Sequence, residues 1–210
     1  MDLIEYGSSA AKTVLIQPVA DHDLASMEQE LSLIRKKTAE DFRFVAFRVK
    51  DWNSELSPWN APAVFGSEAF SGGAAETLAE MTAFCSDPAA TYYIGGYSLA
   101  GLFALWAAYQ SDLFHGAAAA SPSVWFPGFV EFMKENTVRS RNIYLSLGNK
   151  EEKTRNPVMA TVGDRIREAY QLLREQNVNC VLEWNEGNHF KDPEMRTARA
   201  FSWVIGQKTE

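Results

Sequence analysis

This sequence has no long apolar run, no clustered cysteines, no block of basic residues, no internal repeat and no low-complexity tract. Each absence excludes something. A membrane-crossing helix needs about 20 successive apolar residues, and none occurs, so no membrane partner is expected. Residues 1–13 are acidic and small where a secretory leader would start basic and continue apolar, which sets the expectation of a cytoplasmic protein. The two cysteines, Cys85 and Cys180, lie far apart without metal-ligand spacing, so buried, reduced thiols are expected and no metal. A formal charge of -7 and a sequence pI near 5.1 leave too few Lys and Arg to neutralise a phosphate backbone, so no nucleic-acid partner is expected. The acidity mainly favours solubility. No phosphate-cradling glycine loop occurs, and no cofactor is expected.

What is present is a length of 210 residues with 46% apolar side chains, which suits one compact domain spanning 1–210. Strand-like runs alternate with segments of helical period. Residues 13–20 read as a strand, and Leu24, Met27, Leu31 and Ile34 then share one helix face. Residues 42–49 form the next strand. The stretch 51–66, with Trp52, Pro58, Trp59 and Pro62, has no period and is long for a connection. Leu78, Met81 and Cys85 mark a helix over 74–85, and the short buried strand 92–96 feeds a helix over 99–109 that is apolar on nearly all sides. Strands follow at 116–121 and 142–147, then a helix marked by Val162, Ile166, Tyr170 and Leu173. The last pair is a strand over 180–184 and a helix with Asp192 as cap and Pro193 in first position. This order predicts a three-layer α/β sandwich around a central, mostly parallel sheet of about six strands.

In such a sheet reactive groups gather beyond the carboxyl ends of the strands. Ser98, in Gly96-Tyr97-Ser98-Leu99-Ala100, leaves one of them and opens a helix. A sharp strand-to-helix turn that exposes a nucleophile has no room for side chains two before and two after the serine, and Gly96 and Ala100 meet that need. The pattern departs from the strict Gly-x-Ser-x-Gly form by one methyl group. Taken alone it also suits a turn with a packing serine; its position between strand and helix gives it weight. A neutral hydroxyl needs a base, and there are three histidines. His115 falls at the amino end of the sheet, and His22 comes too early for the order serine, acid, histidine. His189, in Gly187-Asn188-His189-Phe190, follows the last strand and fits that order. The acid should leave the strand before it: Glu151 is the choice, with its neighbour Glu152 left open. The Leu99 N–H at the helix start is one natural oxyanion donor, and Ala20, leaving the first strand, is taken as the second. Asp21 and Asp23 suit helix caps. Trp52, Trp59 and Trp125 lie in loops on the Ser98 side, where they either wall a substrate or pack in the core. Lys153 and Arg155 read as solvated charge.

At these residues the chain resembles the esterase family of the α/β-hydrolases that includes esterase D and the enterochelin esterases. The likeness runs over most of the chain. It rests on Gly95-Gly96-Tyr97-Ser98-Leu99-Ala100-Gly101, on Ser121-Pro122-Ser123-Val124-Trp125, on Gly148 to Glu151 and on Gly187 to Phe190, in the family's order. The resemblance implies the α/β-hydrolase fold, a Ser98-Glu151-His189 triad and hydrolysis of a carboxylic ester. The expected partner is a small-molecule ester, whose acyl group passes to Ser98 and then to water. The same triad would serve a thioesterase, peptidase or acyltransferase, and the same fold a non-catalytic binding protein. Nothing in the sequence sets an oligomeric state.

Overall fold

The computed structural model describes residues 2–207. An edge strand, β1 (Asp2–Gly7), precedes β2 (Thr13–Val19), and two helices, α1 (Asp21–Leu24) and α2 (Met27–Lys37), lead to β3 (Phe42–Arg48). The next segment holds α3 (Trp52–Glu55), β4 (Asn60–Ala61) and β5 (Phe70–Ser71), followed by α4 (Ala74–Phe84) and β6 (Thr91–Tyr97). The chain then alternates: α5 (Leu99–Gln110), β7 (Phe114–Ala120), α6 (Phe129–Glu135), β8 (Asn142–Gly148), α7 (Val162–Glu175), β9 (Asn179–Asn185) and α8 (Pro193–Ile205).

Across the main sheet the order is β1-β3-β2-β6-β7-β8-β9, with β1 antiparallel to β3 and the other pairings parallel. Its inner strands are buried on both faces, which is why they read as continuous apolar runs rather than alternating ones. Helices α2 and α8 cover one face with Met27, Leu31, Ile34, Phe201 and Val204; α4, α5, α6 and α7 cover the other. Helix α5 is buried from Leu99 to Tyr109, which accounts for its lack of a polar side.

The structure adds to the six expected strands. β1 leaves little mark in the sequence because it is a half-exposed edge carrying Asp2 and Glu5, which face Arg48 and Arg43 on β3 rather than a second apolar layer. The aperiodic stretch after β3 contains α3 and half of the β4–β5 hairpin. Asp192 does precede α8, but its backbone is left-handed and its side chain makes no capping bond, so Pro193 carries the helix start alone. Cys85 is buried as expected, whereas Cys180 is only half-buried.

Phe201 ties α8 to the sheet: it is fully buried and meets Phe44 edge-on, with ring centroids 5.8 Å apart. Phe201→Ala is expected to cost about 3–5 kcal/mol of stability through the cavity it leaves. A urea titration checks this, as a lower midpoint at unchanged slope. A loss under about 0.5 kcal/mol would mean that α8 is not anchored here.

Candidate active site

The β2–β6 ladder stops at Ile16 and Ile94, and residues 17–19 of β2 pair only with β3. The chain leaves β2 toward β3 but leaves β6 toward β7, so this gap is the topological switch point of the sheet, where α/β folds open a crevice. The Val19 carbonyl accepts from the Val49 N–H on the β3 side, which turns Pro18 toward the gap, where a missing N–H breaks no ladder.

Ser98 stands over the gap with φ 59° and ψ -120°. Such a backbone costs a residue with a Cβ about 1–3 kcal/mol and persists only where neighbours over-determine it. Here the Ser98 N–H donates to the Ala120 carbonyl, while the Ser98 carbonyl accepts from Leu102 and Ser123. A Cβ on Gly96 would lie 2.6 Å from that of Ala100, so the turn requires glycine there. Leu99 follows at the first position of α5, where a backbone N–H has no intrahelical acceptor.

His189 lies in the loop between β9 and α8. Its Nε2 is 3.0 Å from Ser98 Oγ, and its Nδ1 is 2.6 Å from Glu151 Oε2. Glu151 sits on the turn that leaves β8, buried, with its Oε1 accepting from the Gly148 N–H at 2.6 Å, from Ser121 Oγ at 2.9 Å and from Arg196 Nη1 at 2.7 Å. A Cβ on Gly148 would fall 2.5 Å from the Gly187 carbonyl, so the turn closes only around glycine. Burial pushes the Glu151 carboxyl up, but hydrogen bonds from His189, Gly148 and Ser121 outweigh it and hold the group below its ordinary 4.5. Arg196, buried on α8, also donates to the Tyr97 hydroxyl and to the carbonyls of Glu186 and Asn188. Tyr97 in turn donates to the His189 carbonyl at 2.7 Å. One guanidinium thus fixes the carboxylate and the loop that carries the imidazole.

The structure brings Ser98, Glu151, His189 and Leu99 together. It separates the two glutamates: Glu152 turns outward to Arg167, while Lys153 and Arg155 are exposed. A cavity of about 420 Å³ opens at Ser98 and His189, and Trp52, Pro18, Phe190 and Pro193 are among its walls. Trp59 and Trp125 are not. Trp59 donates to the Pro127 carbonyl and packs on Phe126, Phe129 and Phe132; Trp125 packs on Phe65 and Phe70. Together they seal the loop after β3 onto the loop after β7. Ala20 is also displaced from its expected role, because its N–H already donates to Asp23 Oδ2 at 2.8 Å and closes the turn into α1. Asp23 therefore caps, whereas Asp21 pairs with Arg48. His115 stays at the amino end of β7 against Tyr93, but His22 lines the cavity beside Trp52.

Arg196, Tyr97, Gln17 and Glu30 are among the residues at the site that lie outside the sequence-based expectations. Glu30 does carry a signal in the sequence, since Met27, Glu30, Leu31 and Ile34 share one helical stripe, a carboxyl among apolar neighbours. Gln17 is the lone amide in β2, whose residues 14–19 are otherwise apolar. Gln17 and Glu30 line the cavity, and each has an Oε1 with no partner in the protein, a condition that costs about 1–3 kcal/mol per group.

No family model matches the chain, and no curated protein matches it by sequence. Solved structures do match. An IroE-like serine hydrolase from Shewanella oneidensis superposes with a TM-score of 0.76 at 14% identity, over 96% of this chain and 74% of that one. The siderophore hydrolase EstA from Aspergillus nidulans gives 0.69 at 18% identity, over 96% and 86%. The enterobactin esterase from Shigella flexneri gives 0.65 at 15% identity, over 97% of this chain and 54% of its own. The fold is that of the α/β-hydrolases. On this fold the Ser98 turn, the Glu151 turn and the His189 loop leave β6, β8 and β9 at their carboxyl ends.

Removing one member of a buried ion pair strands the other, so Arg196→Met is expected to destabilise by about 3–5 kcal/mol. Glu152→Gln, at the surface, should stay within about 0.5 kcal/mol. Because the Glu151 carboxyl is held below 4.5, its stabilisation is complete above that pH and is lost as pH falls through the folded value. Urea titrations at descending pH check both points: the acid-side loss should be shallower in Glu151→Gln than in Glu152→Gln.

Proposed function

We propose that this chain is a serine hydrolase that cleaves a carboxylic ester through an acyl-enzyme on Ser98. The observation that carries the reading is the unbroken line of hydrogen bonds from Ser98 Oγ through His189 to Glu151, set at the mouth of a cavity. His189 Nε2 takes the hydroxyl proton as Oγ attacks the ester carbonyl, then returns it to the leaving alcohol. Water repeats the sequence against the acyl-enzyme. Glu151 keeps the Nδ1 proton in place, so that Nε2 presents its lone pair to Ser98, and it balances the imidazolium as that forms. The Leu99 N–H, at the start of α5, supplies one donor to the developing oxyanion. Trp52 and Phe190 wall the space in which the ester lies.

The fold neighbours named as a serine hydrolase, a siderophore hydrolase and an enterobactin esterase support ester hydrolysis as the general chemistry. A fluorophosphonate probe should label Ser98 in the folded chain, and Ser98→Ala and His189→Ala should each lower kcat/KM on activated esters by about 1,000-fold or more. Both variants should stay folded, Ser98→Ala with an unchanged melting temperature. Near-native turnover in either one would remove it from the mechanism. Thioesters and peptides in the same assay identify the leaving group.

A further inference from the structure

Strand β7 lies between β6 and β8 in the sheet, so the segment that leaves its carboxyl end, Ser121-Pro122-Ser123, stands between the Ser98 turn and the Glu151 turn. It reaches both. Ser121 Oγ donates to Glu151 Oε1 at 2.9 Å, and the Ser123 N–H donates to the Ser98 carbonyl at 3.1 Å. Ser121 holds a left-handed backbone, φ 42°, which costs a residue with a Cβ about 1–3 kcal/mol and persists where neighbours over-determine the chain. Helix α5 makes room for this segment at Gly101, where a Cβ would lie 2.9 Å from the Ala120 carbonyl oxygen and 3.3 Å from Pro122 Cα.

The Ser123 side chain has a single polar contact. Ser123 is 1% exposed and is followed by the buried Val124, Trp125 and Phe126, and among the described residues its hydroxyl has one hydrogen-bond partner, Ser98 Oγ, at 3.4 Å. Proton counting gives the direction of that contact. Glu151 accepts the Nδ1 proton of His189, so Nε2 is the acceptor for the Ser98 hydroxyl proton, and a lone pair of Ser98 Oγ is what remains for Ser123. Ser123 is therefore the donor. It is not a wall of the cavity, so its reach ends at Ser98 Oγ rather than at a bound ester.

We propose that Ser123 is a positioning residue for the nucleophile: its hydroxyl donates to Ser98 Oγ, keeps the Ser98 proton directed at His189 Nε2, and tightens its hold as that proton leaves. The inference rests on the hydrolase reading above. Ser121 anchors the other end of the same segment on Glu151, so one turn sets the spacing of nucleophile and acid.

At 3.4 Å the contact is longer than an ordinary O–H···O bond, so it contributes little to the resting site. Catalytic hydrogen bonds are often long until substrate is bound. Charge gathers on Ser98 Oγ as His189 takes its proton, and hydrogen bonds to a charged oxygen are shorter and stronger than those to a neutral one. An interaction that grows between ground state and transition state raises the acylation rate without tightening the binding of the ester. In the acyl-enzyme Oγ is an ester oxygen; the same donor serves it again when the bond to the acyl carbon breaks and Oγ recovers its proton from His189.

The test uses the full chain and p-nitrophenyl butyrate, with burst kinetics to separate the acylation rate from the dissociation constant of the bound ester. In Ser123→Ala the acylation rate, and the rate at which a fluorophosphonate labels Ser98, should each fall about tenfold, while the dissociation constant and the melting temperature hold. Ser123→Thr keeps the hydroxyl and should stay within about threefold of the native acylation rate. A packing role would rank the two variants the other way, because threonine forces a methyl into a site 1% exposed whereas alanine leaves its neighbours in place. Should Ser123→Thr not fold, Ser123→Cys replaces it: the thiol is close to the hydroxyl in shape but a weak donor, and its acylation rate should lie nearer to that of Ser123→Ala than to the native rate. A native acylation rate in Ser123→Ala or in Ser123→Cys, or a loss in Ser123→Thr as large as in Ser123→Ala, overturns the role. Each of these leaves the hydrolase reading standing. A native chain that is neither labelled at Ser98 nor able to turn over an ester overturns that reading, and this inference with it.

Discussion

The buried pair of Arg196 and Glu151 is the constraint on which the site depends. Two charges taken out of water offset their desolvation only where geometry is good and the remaining donors and acceptors are used. Here they are used. Arg196 directs its donors to Glu151, Ser121, Tyr97 and the carbonyls of Glu186 and Asn188, and Glu151 receives Gly148, Ser121 and His189 in addition. The guanidinium therefore does for the histidine loop what a strand ladder does for the sheet. Its own position comes from α8, packed on the sheet through Ala198, Phe201 and Val204. The orientation of the imidazole is thus set by the hydrophobic core, one charged residue removed.

A second constraint acts from the other side of the crevice. The β2–β6 ladder ends early, and Ser98 takes a strained backbone over the opening. These features belong together. A complete ladder would fill the space where Gln17 and Pro18 line the cavity, and a relaxed turn would carry Ser98 Oγ away from the reach of His189. The strain is tolerated because Ala120, Leu102 and Ser123 hold the Ser98 backbone on both sides and α5 is buried along its length.

Much of this is legible in the sequence, for definable reasons. The interior strands, α5 and the elbow are visible because burial on both faces and a local steric rule leave marks within a few residues. His189 follows from element order alone. The choice between Glu151 and Glu152 is not visible, because adjacent residues in a turn are separated only by its closure, which depends on Gly148 meeting Gly187 across the sheet edge. The tryptophans are no more legible. Trp52 faces the cavity while Trp59 and Trp125 do not, and the difference lies in partners such as Phe126 and Phe129, distant in sequence from Trp59. Arg196 shares the buried face of α8 with Ala200 and Val204, and Glu30 that of α2 with Met27 and Ile34. A lone charge on an apolar helical stripe therefore marks a group that the fold must either pair or hold neutral.

Glu151 and Glu30 make the last point together. Both are buried glutamates, and burial pushes both carboxyls upward. Their outcomes are opposite because their neighbours are. Glu151 meets an imidazole, a backbone N–H, a hydroxyl and a guanidinium, and stays ionised; Glu30 meets one amide and the charges of two further carboxylates, and rises toward neutrality. Residue type and burial are therefore insufficient to assign either a role. The donors around each carboxyl decide: where they are complete, the group is a fixed negative charge beside the His189 imidazole. Where they are few, burial prevails and the carboxyl is held close to neutral.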